Sequence, residues 1–369
     1  SELMRQPTAF GLDALTSATR SAGPSLDAAT PVVRNGDPGN RLDLLVMGEG
    51  YTSAERSKFE ADAASLTNGF FDLTPLQEYR NYVNVSTLFV PSHQSGADQP
   101  GYDAACTESA PVQSCCSDTT AFGLTPVTVD TAFDATFCSF DVQRALVVDD
   151  AKVFTAAAAE PDWDLIIVLV NTSTDGGTGG AGVTVLSTTD LVANVAQHEH
   201  GHTFGLLADE YDEPFPGYPD CSDVVSGLPE CEPNVTDRTS RALIKWGRWI
   251  DVGQPIPSFD PPTIATAAGL WQGARYVSTG KYRQGYSCLM RFLGEPYCDV
   301  AAEAITLRFY QGGWGAPADG IDNIEPGTES PPAGTVNLAE TGGTFSAAVL
   351  GPQSGPDLKT EWFVDANLV

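Results

Sequence analysis

Residues 198–202 read His-Glu-His-Gly-His and take three of the four histidines in a chain of 369 residues. Four positions separate His198 from His202, so their imidazoles share one side of the backbone if the segment is an α-helix. Its surroundings support a helix: Ser187, Thr188 and Thr189 precede Asp190 as N-cap candidates, and no proline appears before Pro214. The spacing predicts a helix over 189–204. His200 then lies about 200° around the helix from His198, facing away from a metal, and either packs in the core or supports a ligand from behind. His93 reads as a packed or solvated histidine.

A His pair at this spacing, with Glu199 beside the first, is the HExxH arrangement, in which both imidazoles bind one zinc ion. Zinc lowers the pKa of its bound water to about 7, and the neighbouring Glu199 takes the proton as that water attacks a polarised carbonyl. Two imidazoles and a water leave a tetrahedral ion one protein ligand short. Asp209 and Glu210 are the nearest acids, yet on a continuous helix Asp209 would stand roughly 16 Å along the axis from His198. The chain therefore has to turn. Gly205 is the expected place, adopting positive φ to end the helix and fold the following residues back.

Elsewhere the hydrophobic pattern alternates between strands and helices. Arg41 to Gly48 (RLDLLVMG) reads as a buried strand, and Thr52 with Glu55 forms a capping box that starts a helix running to Phe71. Tyr82 to Val90 and Arg144 to Val148 read as strands, Ala151 to Ala159 as a short helix, and Asp164 to Val170 (DLIIVLV) as an interior strand. The glycine-rich stretch from Thr174 to Gly182 lacks a following Gly-Lys-Ser/Thr. It reads as a mobile turn rather than a phosphate loop, leading into an edge strand at Val183 to Leu186. The fold class expected is α/β (α+β) with a mixed twisted sheet. The divisions expected are an extended N-terminal arm over 1–38, a catalytic domain over 39–316, a Pro/Gly-rich linker over 317–330 and a small or truncated β appendage over 331–369.

The formal net charge of -29 repels phosphate and anionic lipid, which excludes nucleic acid as a partner. The acids are dispersed and read as a solvated surface, with calcium held by acidic loops as the second reading. No apolar run reaches the ~20 residues needed to span a bilayer, so no membrane insertion is expected. Eight cysteines without a CxxC pair argue against a cysteine zinc finger. Their clustering in loop-like sequence predicts disulfides and hence a secreted, periplasmic or cell-surface protein, with bridges Cys221–Cys231 and Cys288–Cys298. Cys106, Cys115, Cys116 and Cys138 are left with three connectivities, Cys115 and Cys116 taking different partners.

The run His198 to Tyr211, HExxHxxGxxxDEY, resembles the bacterial IgA-protease family of zinc metallo-endopeptidases. The resemblance extends through Leu44 to Glu55 (LLVMGEGYTSAE), Phe89 to Asp98 (FVPSHQSGAD) and Ser287 to Val300 (SCLMRFLGEPYCDV), and so covers about residues 40–312. That family in turn resembles metzincins, which implies a methionine turn beneath the metal, here Met290. Ala208 stands where the third metzincin histidine would be. The resemblance therefore implies Asp209 as third ligand, with Glu210 the alternative. Val300, Ala304 and Leu307 share helical spacing and predict a C-terminal helix beneath the site.

The implied function is a bacterial, extracellular zinc endopeptidase acting on a protein or peptide substrate, which the resemblance does not name. Tyr211, Tyr282 and Arg283 are the candidates for stabilising the oxyanion. The segment from Gly179 to Leu186 is a candidate edge for pairing with an extended substrate. Two other readings share the motif: a non-catalytic binding module with a structural metal, which the intact Glu199 argues against, and a zinc hydrolase of non-peptide amides or esters.

Overall fold

The computed structural model describes residues 28–100, 116, 126–160, 162–180, 182–215, 217–258, 267–312, 320–332, 334, 343–355, 358–364 and 367–368. Expectations for residues 1–27, Cys106, Cys115 and 335–342 fall outside that set. In chain order the elements are β1 (Thr30–Val33), β2 (Leu42–Glu49), α1 (Arg56–Phe70), β3 (Val83–Leu88), α2 (Asp150–Ala157), β4 (Leu165–Val170), β5 (Gly177–Gly180) and β6 (Val183–Ser187). Then follow α3 (Val192–Thr203), β7 (Val235–Thr236), β8 (Trp271–Ala274), β9 (Val277–Arg283), α4 (Asp299–Gln311), β10 (Phe363–Val364) and β11 (Asn367–Leu368).

The first six strands form one mixed sheet in the order β1-β3-β2-β4-β6-β5, parallel at its centre and closed at both edges by antiparallel strands. β2 and β4 are buried at every position, the signature of interior parallel strands covered on both faces. Alternation then sorts their side chains. Leu42, Leu44, Val46, Leu165, Ile167 and Leu169 enter one core with residues of α1, α3 and α4. Leu45, Met47, Ile166, Val168 and Val170 enter a second core with α2 and the loop containing Phe133 and Phe137. The chain is a mixed α/β protein with few helices.

Local chemistry accounts for the helix starts. The Thr52–Glu55 capping box is present, opening a short 3-10 turn that runs into α1. The Asp149 carboxylate caps α2 by accepting from the backbone N–H groups of Ala151 and Lys152. The site helix α3 begins at Val192, three residues later than the Ser/Thr run suggests, and has no side-chain cap.

Several sequence expectations are corrected. The glycine-rich stretch is not a turn: Gly177–Gly180 is the antiparallel edge strand β5, and β6, expected at the edge, is interior between β4 and β5. Gly177 and Gly179 turn their missing side chains toward α3, where a Cβ would meet Val195 or Glu199, so glycine there permits close packing. Arg144 to Val148 forms no strand. Val147 makes one bridge with Thr136, while the Arg144 and Leu146 carbonyls accept from Gly177 N–H and Thr178 Oγ1, so the segment crosses the start of β5. On α4 the buried residues are Val300, Ala301, Ile305 and Phe309, and Leu307 is exposed.

Residues beyond α4 return to the sheet. Arg41, fully buried, pairs with Glu325, Asn40 bonds Asp322, and the Tyr82 hydroxyl donates to the Leu350 carbonyl at 3.1 Å. Cys116 is bridged to Cys138 and Cys221 to Cys231. Cys288 and Cys298 are not bridged. They are adjacent buried thiols, with Cys298 N–H donating to the Cys288 sulfur at 3.1 Å and the Cys298 thiol donating to the Ser287 carbonyl.

Candidate metal centre

α3 leaves the end of β6 and packs against α1, so the His pair sits over the edge of the sheet beside β5. Its end supplies the required reversal by a different residue from the one expected. Phe204 and Gly205 N–H both donate to the His200 carbonyl, Leu207 N–H donates to the Gly201 carbonyl, and Leu206 takes the left-handed conformation at φ 54°. Gly205 is instead needed for space, since a Cβ there would come within 2.8 Å of the Gly201 carbonyl and 2.9 Å of Ile305.

The reversal brings Asp209 back to the histidines. His198 Nε2 lies 3.1 Å from His202 Nε2 and 3.1 Å from Asp209 Oδ1, which is 3.3 Å from His202 Nε2. Among the described residues this is the one group of three potential ligands that converges. Each ring is fixed from behind: His198 Nδ1 is 3.0 Å from the Leu289 carbonyl and His202 Nδ1 is 2.8 Å from the Leu207 carbonyl. A carbonyl only accepts, so both Nδ1 atoms carry a hydrogen and both Nε2 atoms point inward, the orientation a metal requires. The set also calls for positive charge. Burial opposes protonation of His202, but the Asp209 carboxylate outweighs it and pushes the imidazole up to about 10. Asp209, despite its burial, is held well below the usual carboxylate range by His202 and His198. A divalent cation fits such a donor set and would displace that proton.

Glu210 faces the other way. Its carboxylate accepts from Asn234 Nδ2 at 3.0 Å, its N–H donates to the Met290 carbonyl, and burial pushes its carboxyl up to about 7. Met290 is fully buried, with its sulfur 2.6 Å from where a Cβ on Gly201 would stand, so it lies directly against the middle of α3. Glu199, half-buried, faces β5, where a Cβ on Gly179 would stand 2.3 Å from its Oε2. His200 is buried between Phe204 and Phe70, its Nε2 without a hydrogen-bond partner, and burial lowers its pKa to about 3. His93 is exposed beside Asp130.

Of the oxyanion candidates only Tyr211 is near. Its ring is 6.3 Å from that of His198, and burial, with Asp209 close by, pushes its phenol up so that it stays a donor. Tyr282 packs against the cluster of Ile244, Trp246 and Leu270, and Arg283 is buried with Nη1 on the Gln272 and Gly273 carbonyls.

Three residues at the site carried no motif. Tyr276 donates its hydroxyl to Asp209 Oδ2 at 2.6 Å, orienting the carboxylate. It reaches there from the two-residue turn of the β8–β9 hairpin, in which Arg275 and Tyr276 have φ 53° and 60°. Two non-glycine residues at positive φ cost on the order of 1–3 kcal/mol each, offset here by the Tyr276 bond and by the Arg275–Glu232 ion pair at 2.8 Å. Asn234 bonds both N–H and carbonyl of Ala208 at 2.9 Å and so pins the returning chain. Arg144, half-buried in the loop beside β5, acts electrostatically on Tyr211.

A family model described as IgA Peptidase M64 matches residues 30–110 and 110–264, more than half of the chain. The chain belongs to this family. It is therefore a peptidase, of a family that is in general metal-dependent, and its substrate is protein. The match includes β1 to β6, α3 and the segment that carries Asp209 and Tyr211. No curated protein matches the chain. Among the described residues of this M64 peptidase, no helix is long and apolar enough to cross a membrane.

Proposed function

We propose that this peptidase is a zinc-dependent endopeptidase of metzincin-like build, with His198, His202 and Asp209 as metal ligands and Glu199 as general base. The observation that carries the reading is the convergence of two inward-facing Nε2 atoms and one carboxylate oxygen, each anchored from behind by a hydrogen bond. Zinc supplies Lewis acidity toward a scissile carbonyl and acidifies a water. Glu199 accepts the proton of the attacking water and returns it to the departing amide nitrogen. Its confinement against β5 limits the directions its carboxylate can take. Tyr211 donates to the carbonyl oxygen as charge builds on it. Met290 supports the histidines without touching the reacting atoms.

The outer edge of β5 supports pairing with an extended substrate. Gly177 N–H turns away from β6 to the Arg144 carbonyl, so by strand alternation the N–H and C=O of Gly179 also face outward, next to Glu199. The two disulfides support action outside the cytoplasm.

The test is metal content by mass spectrometry on protein purified without added metal, followed by a peptide-library screen. One equivalent of zinc in the parent, little in His202→Ala, and cleavage abolished in metal-replete Glu199→Ala are expected. A parent that takes up no zinc when incubated with it, or cleavage that survives Glu199→Ala, refutes the assignment.

A further inference from the structure

We propose, resting on the ligand assignment above, that Gln284 is a positioning residue for the metal centre: its buried carboxamide ties the start of α4 to Glu210 and to the turn at 288–290, and so fixes Asp209 relative to His198.

The two ligands depend on stretches of backbone far apart in sequence. Asp209 is carried by the segment 208–211, while the Leu289 carbonyl holds His198 from behind at 3.0 Å. A backbone bond joins the two stretches, from Glu210 N–H to the Met290 carbonyl at 2.9 Å. Gln284 follows β9, is fully buried, and adds side-chain bonds to both. Its Nε2 donates to Glu210 Oε1 at 3.4 Å and to Cys288 Sγ at 3.8 Å. Its Oε1 accepts from Val300 N–H at 2.8 Å and Ala301 N–H at 3.2 Å, in the first turn of α4. Cys298, the N-cap residue of that helix, makes no side-chain cap bond, so the distant glutamine supplies the acceptor that the helix start requires.

A carboxamide suits this place because its tip both accepts and donates. The α4 N–H groups claim the oxygen, which turns the NH2 toward Glu210 and Cys288. Glu210 passes the constraint on. The same Oε1 accepts from Asn234 Nδ2 at 3.0 Å, and Asn234 bonds both polar groups of Ala208, the residue before Asp209. Gln284, Glu210 and Asn234 are all fully buried, so water does not replace a bond that is lost and the partner is left stranded. Glu210 Oε2 has no hydrogen-bond partner among the described residues, so the carboxylate is kept there at a cost in desolvation. What it supplies in return is the link between Gln284 and the segment that carries Asp209.

The experiment measures zinc affinity by chelator competition, the visible absorption of the cobalt(II)-substituted protein and Tm, in the parent, Gln284→Met, Glu210→Met and the double variant. Asp149→Ala serves as the destabilised control, because it removes the cap of α2 on the opposite face of the sheet. Each single variant is expected to lose about ten-fold in zinc affinity and to shift the cobalt absorption. Since the two residues act through one bond, the double variant is expected to fall no further than Glu210→Met. Asp149→Ala is expected to lower Tm with affinity and spectrum unchanged. Parent-like affinity and spectrum in Gln284→Met, single losses that multiply in the double variant, or an equal loss of affinity in Asp149→Ala overturns the proposal. If Gln284→Met does not fold, Glu210→Met decides, because it leaves the Gln284 cap on α4 in place: a loss of about ten-fold supports the link and parent affinity overturns it. A parent that binds neither metal overturns the ligand assignment as well, whereas a zinc-binding parent indifferent to Gln284→Met leaves that assignment standing.

Discussion

Gly179→Ala separates the positioning of Glu199, the proposed general base, from metal binding. The added Cβ would stand 2.3 Å from Glu199 Oε2 and 3.3 Å from Glu199 Cβ and Cδ. Ordinary contact needs about 1 Å more at the carboxylate, and the Glu199 side chain is the flexible partner, so it is the group that moves. Gly179 is not among the residues with positive φ, so alanine meets no backbone strain there. It is expected to leave stability unchanged or raise it by ~0.5 kcal/mol through the unfolded chain. A reacting group misplaced by ~1 Å costs about a hundred-fold in rate, or ~2.7 kcal/mol of transition-state stabilisation. The assay is kcat/KM on a cleaved peptide beside zinc content and Tm, with Gly180→Ala as control, because a Cβ there has nothing within 4 Å. The expected result is a loss of about a hundred-fold for Gly179→Ala at full zinc occupancy and a change under about two-fold for Gly180→Ala. Full activity in Gly179→Ala, or equal losses in both variants, would refute the placement of Glu199 against β5.

Tyr276→Phe removes the hydroxyl that orients Asp209 and is expected to weaken zinc affinity about ten- to a hundred-fold, measured by chelator competition; unchanged affinity would show that the bond does not orient the carboxylate. Asp43, buried and bonded by Asn84, has its carboxyl pushed by burial up to about 6, well above the ordinary aspartate range. Its protonated form is favoured in the folded state, so its contribution is fully present below pH ~4 and is lost as pH rises through ~6. Asp43→Asn is therefore expected to gain roughly 2 kcal/mol over the parent at pH 7.5 and little at pH 4 by denaturant unfolding; a pH-independent difference would count against this. The neighbouring Cys288 sulfur, together with burial, pushes the Cys298 thiol up, so neither thiol should alkylate in native protein. Denaturation without reductant should expose both, and a mass lower by about 2 Da with no alkylation of either would show a bridge instead.

Much of the site was legible because its chemistry follows local periodicity. HExxH needs only the helical repeat to bring two imidazoles together, the buried runs of β2 and β4 announce themselves by composition, and the Thr52–Glu55 box is a contact between near neighbours. The other findings depend on contacts across long sequence separations. Glycines at 177 and 179 look like a turn until α3 is seen packed on them. Tyr276 and Asn234 reach Asp209 and Ala208 across separations of 67 and 26 residues, and Arg144 arrives from a loop that reads as a strand. The sequence by itself determined which residue types could hold a metal and on which helix face. Only the tertiary structure placed Asp209, and not Glu210, beside the histidines, because consecutive residues in an extended segment point to opposite sides and long-range pinning selects which faces them.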